Sequence, residues 1–341
     1  MSDVGTTHED LERFLAEHHL VGAGLKRESQ AAPRKGNTAA HWKWEGIYNG
    51  LMRSGEIVTV GPNGMIGMRS VVGIEARNFP IWMNAQILMP GERTQAHRNL
   101  RSETRLVCAA PKEAIFVCEY ESYPMERGDI VISPAWTFHD HWNLGSTPAI
   151  WIDGYDNGYN PNVNINERLP NDAPYQKIKK PAGYGLRTLG HARPISDQAP
   201  FPLPPVRYRW TDTYAALTAL RENGEGDPYD GIQIMLASPV DGGPTLPTIA
   251  WQAQMFSSHQ KTLPHRHNST TFYFGFEGEG AIVIEGERLE WQKGDIFAVP
   301  AWKWHHHENA HSGDSILFSI DDWPAMKKLG FYMKEEDARG F

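Results

Sequence analysis

The stretch GDIFAVPAWKWHHH at residues 294–307 decides the fold, because the chain carries a second version of it, GDIVISPAWTFHDH, at residues 128–141. The two copies align without a gap and place His139 opposite His305. In each copy a Gly-Asp pair precedes a short apolar run that ends at a proline, which is typical of a β-strand bounded by turns. A histidine therefore follows the same predicted strand in both halves of the chain.

A second block recurs upstream of the first in each half. The stretch PGERTQAHRN at residues 90–99 aligns with KTLPHRH at residues 261–267, which pairs His97 with His265. From this histidine to the one after the Gly-Asp strand, the chain runs 42 residues in the first half and 40 in the second. Two blocks that recur in the same order at nearly equal spacing indicate an internal repeat.

Short strand patterns surround both blocks. Apolar runs separated by Gly, Pro and Asn turns extend from about Val58 to Asp156 and return from about Thr248 to Ile320. This pattern predicts an all-β-dominated chain with two β-sandwich or barrel units and a few short helices. The predicted segments are an N-terminal helical segment and arm at 1–56 with a helix over Glu9–Leu20, a first β unit at 57–160, an interdomain connection at 161–225 with a short helix near Asp212–Glu222, and a second β unit with the tail at 226–341.

The composition is that of an ordinary folded protein. Of the 341 residues, 40% are hydrophobic and 22% are charged, and 33 basic against 41 acidic side chains give a net charge of −8. This balance argues against nucleic acid as a partner, and no apolar run reaches the ~18 residues of a membrane span. We expect a cytoplasmic protein that needs no membrane. The two cysteines, Cys108 and Cys118, are predicted to be buried core thiols.

The second half carries the more complete candidate metal site. His265 and His267 are two residues apart on a predicted strand, so alternation puts both side chains on one face. His305 follows the Gly-Asp strand about forty residues later, whereas His306 points to the opposite face by the same alternation. Three neutral imidazoles that meet inside a β unit suit Fe(II) or another divalent metal, with coordination positions left for substrate and O2.

The first half departs from this set. Alternation turns His97, Asn99 and Glu103 inward on one strand, and His139 joins them, but an amide is a poor ligand for a transition metal. Two interpretations stay open. Either Glu103 replaces the missing imidazole to form a site of His97, Glu103 and His139, or the first β unit has lost its metal and serves as scaffold.

Further polar residues are candidates for substrate contact. Arg105 faces inward on the same strand as Glu103 and either forms a structural ion pair or binds a substrate carboxylate. Its counterpart in the second half is Tyr273, which either binds a substrate oxygen or fills the core. Further candidates are His141 and His307 as acid-base groups, and Trp136 and Trp304 as an aromatic clamp or as packing.

With these residues in place, the sequence resembles the bicupin ring-cleaving dioxygenases, the family of gentisate, salicylate and 1-hydroxy-2-naphthoate dioxygenases. The similarity runs from about Trp42 to Lys334. It is carried by PGERTQAHR (90–98), GDIVISPAWTFHDHWN (128–143), WIDGYD (151–156), LPHRHNSTTFYFGFEGEG (263–280), GDIFAVPAWKWHHHEN (294–309) and LFSIDDWPAMKKLGFYMKEE (317–336).

The resemblance implies two tandem cupin barrels of the jelly-roll type, a homotetramer, and Fe(II) held by three histidines. In the family the catalytic iron is usually in the N-terminal cupin. Carried over, its ligands are His97, Asn99 and His139, with Arg105 as carboxylate anchor and His141 beside the substrate hydroxyl. Asn99 departs from the family pattern, which moves our preference to His265, His267 and His305 of the C-terminal cupin.

The reaction implied by the resemblance joins O2 to an aromatic 2-hydroxy acid, such as gentisate or salicylate. The acid chelates iron through its carboxylate and hydroxyl, and the ring opens between the two carbons that bear them. Two alternatives come from other classes. One is a cupin metalloenzyme that acts on an acid without O2, by hydrolysis, decarboxylation or isomerisation; the other is a non-enzymatic binding bicupin.

Overall fold

In the computed structural model, the described residues are 7–23, 39–58, 65–66, 71–74, 80–156, 165–192, 194–195 and 206–339. The predicted N-terminal helix forms, and Thr7 caps it because its hydroxyl accepts from the N–H of Asp10 at 3.2 Å while the Asp10 carboxylate accepts from the N–H of Thr7. The helical elements are α1 (His8–Glu17), α2 (Trp44–Ile57), α3 (Trp210–Glu222), α4 (Trp323–Lys328) and a π-helical turn at Leu186–His191.

The first half of the chain forms two sheets that enclose a core, and their strand pairs are antiparallel except for the parallel pair of β3 and β6. One sheet has the strand order β1-β4-β5-β13-β8-β11-β15, and the other has the order β10-β9-β12-β6-β3 with β7 between β12 and β14. The strands are β1 (Leu20–Ala23), β2 (Ala40–Trp42), β3 (Met65–Ile66), β4 (Val71–Ile74), β5 (Trp82–Leu88), β6 (Arg93–Thr94), β7 (His97–Asn99), β8 (Glu103–Ala109), β9 (Ala114–Cys118), β10 (Glu121–Pro124), β11 (Ile130–Ser133), β12 (His139–Asn143), β13 (Ala149–Tyr155), β14 (Asn166–Arg168) and β15 (Val206–Tyr208).

The second half repeats this plan. One sheet has the order β16-β17-β24-β19-β22-β2 and the other β21-β20-β23-β18-β25. Both cysteines of the first half are buried and free, as predicted. The strands are β16 (Ile232–Met235), β17 (Ala250–Phe256), β18 (His265–His267), β19 (Thr271–Glu277), β20 (Glu279–Ile284), β21 (Glu287–Gln292), β22 (Ile296–Val299), β23 (His305–Glu308), β24 (Ser315–Asp321) and β25 (Lys334–Glu336).

Each half contributes one strand to a sheet of the other half. Strand β2, which precedes the first cupin, adds to the C-terminal sheet through β22, and β15, which precedes the second cupin, adds to the N-terminal sheet through β11. The Asp of each Gly-Asp pair then caps the helix that follows the added strand. Asp295 accepts from the N–H of Trp44 and Asp129 from the N–H of Trp210, both at 2.9 Å.

Close packing at the two Gly-Asp pairs explains why glycine is required there. Gly128 and Gly294 have φ of +88° and +92°, a region that side chains disfavour. A Cβ on Gly128 would lie 2.8 Å from Trp210, and one on Gly294 would lie 2.3 Å from Trp44. The internal repeat therefore includes these tryptophans, a relation that the strand pattern alone does not show.

The prediction of a mostly β protein built from two tandem jelly-roll units is confirmed. The core runs through both halves and includes large buried aromatic side chains such as Trp151 and Trp251. Of the helices formed by the described residues, none is both long and apolar enough to span a membrane. The segment boundaries stay a prediction, but the stretch predicted as a connection at 161–225 contributes β14 and β15 to the first cupin.

Candidate metal centre

Three histidines of the second half meet at one point, and we call His265, His267 and His305 the C-terminal trio. The first two lie on β18 and the third begins β23, whose antiparallel register places His305 directly opposite His265. One ring nitrogen of each lies within 4.8 Å of one ring nitrogen of the other two. All three side chains are buried. Strand alternation thus brings together the residues that the spacing predicted.

Hydrogen bonds orient two of these rings. Nδ1 of His305 donates to the carbonyl of Lys303 at 2.9 Å, and Nδ1 of His267 donates to the carbonyl of Ser269 at 3.1 Å. Both bonds put the ring proton on Nδ1 and leave the lone pair on Nε2, the arrangement of metal-binding histidines. Nε2 of His305 is buried and has no hydrogen-bond partner.

The imidazoles of the trio are neutral at pH 7. Burial lowers the pKa of His265 and His267 and holds the pKa of His305 well below its usual value. A buried cluster of neutral acceptors needs a donor or a cation between them. The trio therefore fits a divalent metal of borderline softness, including iron.

A cavity of about 260 Å³ opens beside the trio. Both histidines of β18 reach it, so the cluster has an accessible side, as catalytic metal sites have and closed structural sites do not. The predicted residue Tyr273 also lines it. The lining residues are Asp230, Gln233, Gln252, His265, His267, Thr271, Tyr273, Asp321, Trp323, Lys327, Tyr332 and Lys334.

The first half assembles a second group, and we call His97, Glu103 and His139 the N-terminal cluster. Its ligand atoms also lie within 4.8 Å of one another. Here the carboxylate is already engaged: Glu103 accepts from Asn99 Nδ2 at 2.7 Å and pairs with Arg101 at 2.9 Å. Nε2 of His139 lies 2.9 Å from the second carboxylate oxygen of Glu103. Because Nδ1 of His139 donates to a carbonyl, this contact requires a proton or a cation between the two atoms.

The guanidinium of Arg105 is also paired within this group. Its guanidinium pairs with Glu103 and with Asp153 at 3.3 Å, and it donates to Ser133 Oγ at 2.6 Å. Burial opposes ionisation of Glu103, but Arg101, His139 and Arg105 outweigh it and hold the pKa of Glu103 well below its usual value. The arrangement supports the structural interpretation of Arg105 over the substrate-binding one.

Known proteins identify the family. Residues 254–321 match the family described as Cupin domain. The chain is 32% identical to a 5-aminosalicylate 1,2-dioxygenase from Comamonas sp., over 98% of this chain and 90% of that protein. It is 31% identical to a gentisate 1,2-dioxygenase from Haloferax sp., over 96% of each. This chain belongs to the family of ring-cleaving aromatic 1,2-dioxygenases.

The fold of this dioxygenase family member also matches a solved structure. The crystal structure of a salicylate 1,2-dioxygenase from Pseudoaminobacter salicylatoxidans, determined as an adduct with gentisate, superposes with a TM-score of 0.77 and 26% identity. The match covers 91% of this chain and 88% of that one. The family and the enzyme class expected from the sequence motifs are confirmed.

The predicted acid-base residues occupy equivalent places in the two halves of this dioxygenase family member. His141 stacks on Trp151 and His307 on Phe256, with ring centroids 4.6 and 4.9 Å apart. Both imidazoles are buried, and neither ring nitrogen of either has a hydrogen-bond partner. Burial lowers the pKa of His307 to about 3 and holds that of His141 well below its usual value. Their acid-base role stays a prediction.

The two tryptophans predicted as substrate contacts, Trp136 and Trp304, do not line the cavity. Trp136 packs under the guanidinium of Arg98 at 4.3 Å, and Trp304 under that of Arg266 at 4.7 Å. Arg98 and Arg266 alternate with the inward-facing histidines, so both indoles lie on the outer face of their strands. The residues that line the cavity include neither one. Their contact with substrate stays a prediction, and this placement favours packing.

Three polar residues at the C-terminal cavity were missed by sequence reasoning. Asp230 lies 3.7 Å from Nε2 of His265, Asp321 accepts from Thr271 Oγ1 at 2.5 Å, and Lys334 pairs across strands with His267. They come from three separate segments of the chain. The one available signal was the family-like tail at 317–336, which contains two of them but does not show that it folds back onto β18.

Proposed function

We propose that this protein is an Fe(II)-dependent dioxygenase that uses O2 to open the ring of an aromatic 2-hydroxy acid between the carbons bearing the carboxyl and hydroxyl groups. The reaction class rests on relatives named as dioxygenases of gentisate and aminosalicylate. The observation that carries the choice of site is the C-terminal trio, three neutral buried imidazoles beside an open cavity. When bound there, iron supplies a centre that joins substrate and O2 and transfers electrons between them.

The chain's own residues have three tasks at this site. His265, His267 and His305 supply three ligand nitrogens within 4.8 Å of one another, beside the cavity. The phenol of Tyr273 lines the cavity and supplies a hydrogen-bond donor to a substrate oxygen. The surrounding aromatic side chains exclude water and hold the ring of the substrate in a fixed orientation.

The N-terminal cluster is assigned a structural role in this proposal. Arg101 and Arg105 already balance the carboxylate of Glu103, so a divalent cation there would be repelled by two nearby guanidinium groups. We therefore propose one iron per chain.

The rival functions have less support. A cupin enzyme that works without O2 and a non-enzymatic bicupin both remain outside the activities named among the relatives. A homotetramer is proposed from the resemblance alone. Sedimentation of the purified protein tests it, and a monomer in solution would refute it.

The decisive experiment compares His265→Ala with His97→Ala. Purified proteins are reconstituted anaerobically with Fe(II), and bound iron and O2 uptake on gentisate and salicylate are measured. We expect about one iron per wild-type chain, loss of iron and turnover in His265→Ala, and retention of both in His97→Ala. Loss of both in His97→Ala alone would move the reaction to the N-terminal cluster. Iron-loaded wild type that consumes no O2 with any aromatic hydroxy acid would refute the function.

A further inference from the structure

The cavity beside the C-terminal trio contains a lysine whose direction is set by strand pairing. Strand β25 pairs antiparallel with β18, and its register places Lys334 directly opposite His267. Residues directly opposite each other on paired strands present their side chains on the same face of the sheet. Lys334 therefore points to the side that His267 occupies, and it lines the cavity together with that histidine.

The ammonium group of Lys334 has two carboxylate partners, and its side chain is partly exposed. Its Nζ lies 3.4 Å from Asp230 Oδ2 and 3.1 Å from the half-exposed Glu336. The same Asp230 side chain also accepts from Gln254 at 3.1 Å. An ammonium group offers three donors, so two carboxylate partners leave one donor for a further acceptor.

The inward cation of the first cupin is less accessible than Lys334, whose side chain is 29% exposed. Arg105, the inward guanidinium there, is buried and paired with Glu103 and Asp153. At the matching position of the second cupin stands Tyr273, whose register partner on β22 corresponds to that of Arg105 on β11. Burial raises the pKa of Tyr273 well above its usual value, so this residue is neutral and cannot balance a carboxylate.

We propose that Lys334 binds the carboxylate of the aromatic acid in the C-terminal cavity, in place of an arginine on the strand that follows the H-x-H pair. The inference rests on the proposed function and names the residue that selects acids at this site. The cavity, at about 260 Å³, is below the ~300–1,000 Å³ of sites for drug-sized ligands, which matches an acid with a single ring. Trp323 and Tyr332, with ring centroids 6.3 Å apart, supply apolar walls beside Lys334.

The test separates recognition of charge from chelation of metal. The full chain is loaded with Zn(II), which has no redox chemistry, and titrated calorimetrically with salicylate and with salicylamide, its uncharged analogue. Lys334→Met is compared with Lys334→Arg. Lys293→Met serves as the matched control, because Lys293 also pairs with a glutamate at 3.0 Å but is not among the residues that line the cavity. Lys334→Gln gives a second neutral variant if Lys334→Met does not fold.

We expect Lys334→Met to raise the Kd for salicylate by roughly 10- to 100-fold and the Kd for salicylamide by less than about threefold. Lys334→Arg should stay within about fivefold of wild type for salicylate, and Lys293→Met should match wild type. Equal weakening of both ligands, or salicylate binding by Lys334→Met within threefold of wild type, would overturn the assignment. So would the loss of acid preference in Lys327→Met instead, because Lys327 is the other lysine among the lining residues described.

The result of these titrations does not depend on the proposed reaction. Zinc-loaded protein reports the acid preference even if the iron-loaded enzyme fails to consume O2, which would refute the function and leave the anchor in place. Conversely, O2 uptake with an unchanged KM for the acid in Lys334→Met would support the function and refute the anchor. Bound metal should be the same in all lysine variants, because Lys334 is not a ligand.

Discussion

The two cupins place different chemistry at equivalent positions. Where β18 carries His267, β7 carries Asn99, and where β19 begins with Thr271, β8 begins with Glu103. In the N-terminal cluster the carboxylate accepts bonds from an amide and two guanidinium groups. In the C-terminal trio, no carboxylate lies among the three ligand atoms. Nε2 of the equivalent histidines His139 and His305 has no hydrogen-bond partner in either group.

In our proposal, this difference separates a structural group from a metal site on one scaffold. A cluster whose charges are balanced by its own residues is stable without a cation and has little affinity for one. A cluster of buried acceptors without donors is satisfied only by a ligand. The two groups differ at four equivalent positions: Asn99, Arg101, Glu103 and Arg105 of the first cupin correspond to His267, Ser269, Thr271 and Tyr273 of the second.

The largest expected effect comes from breaking the balance in the N-terminal cluster. Glu103→Gln leaves Asp153 as the one carboxylate described beside the buried Arg105, and we expect the free energy of unfolding to fall by about 3–5 kcal/mol. Thr271→Val, at the matching position of the second cupin, should cost about 1 kcal/mol, since it removes a hydrogen bond to Asp321. Urea denaturation of both variants measures the difference. Similar losses in the two variants would contradict the distinction drawn between the clusters.

Converting the C-terminal trio toward the N-terminal cluster should abolish its metal site. His267→Asn removes one ligand, and we expect metal affinity to fall by more than about 100-fold and turnover to be lost, because even residues that only support ligands contribute 10–100-fold. His306→Asn is the control, as His306 pairs with Glu308 and is not one of the trio. Competition with a chelator measures affinity. Retained affinity in His267→Asn would show that an amide suffices.

The packing of Trp44, at the start of α2, on Gly294 of the other half predicts an effect of intermediate size on the stability of the protein. Gly294→Ala should destabilise the protein by about 1–3 kcal/mol more than Gly286→Ala, because the added methyl group overlaps the ring of Trp44. Gly286 has a similar φ of +83° with open space around it, so both variants share the cost of a positive φ. Thermal unfolding measures the difference. Equal destabilisation would mean that the α2 contact contributes little.

The smallest expected effect concerns acid stability. Burial opposes ionisation of Asp295, but His41, Lys43 and the N–H groups of Trp44 and Gln292 outweigh it and lower the pKa of Asp295 to about 2. This pKa lies below the unfolded value of 3.8, so the resulting stability is present above about pH 4 and lost as pH falls toward 2.

The two capping aspartates should therefore respond in opposite directions. Burial raises the pKa of Asp129 above its usual value, so Asp129 binds its proton more readily in the folded state. Asp295→Asn should flatten the fall of stability between pH 4 and 2 by roughly 1–2 kcal/mol, and Asp129→Asn should not. Denaturant midpoints measured at several pH values decide this. An equal change in both variants would contradict the assigned difference.

Much of the architecture could be predicted from spacing. The repeated Gly-Asp and histidine blocks predicted two equivalent β units, and strand alternation predicted which histidines share a face. The exchange of β2 and β15 could not be predicted in this way. Their signals, the short stretches before Trp44 and Trp210, become recognisable as a repeat only when both tryptophans are seen to pack on the glycine of the other half.

The sequence by itself determined the fold class and, through its repeated blocks and strand alternation, which histidines of the second half would meet; the family followed from the resemblance of its motifs. Only the tertiary structure decided that Glu103 neutralises Arg105 and that Lys334 enters the C-terminal cavity. The physical reason is that charge balance and cavity shape depend on distances between side chains. Residues 60 or more positions apart, such as His267 and Lys334, come together through strand pairing that no local pattern specifies.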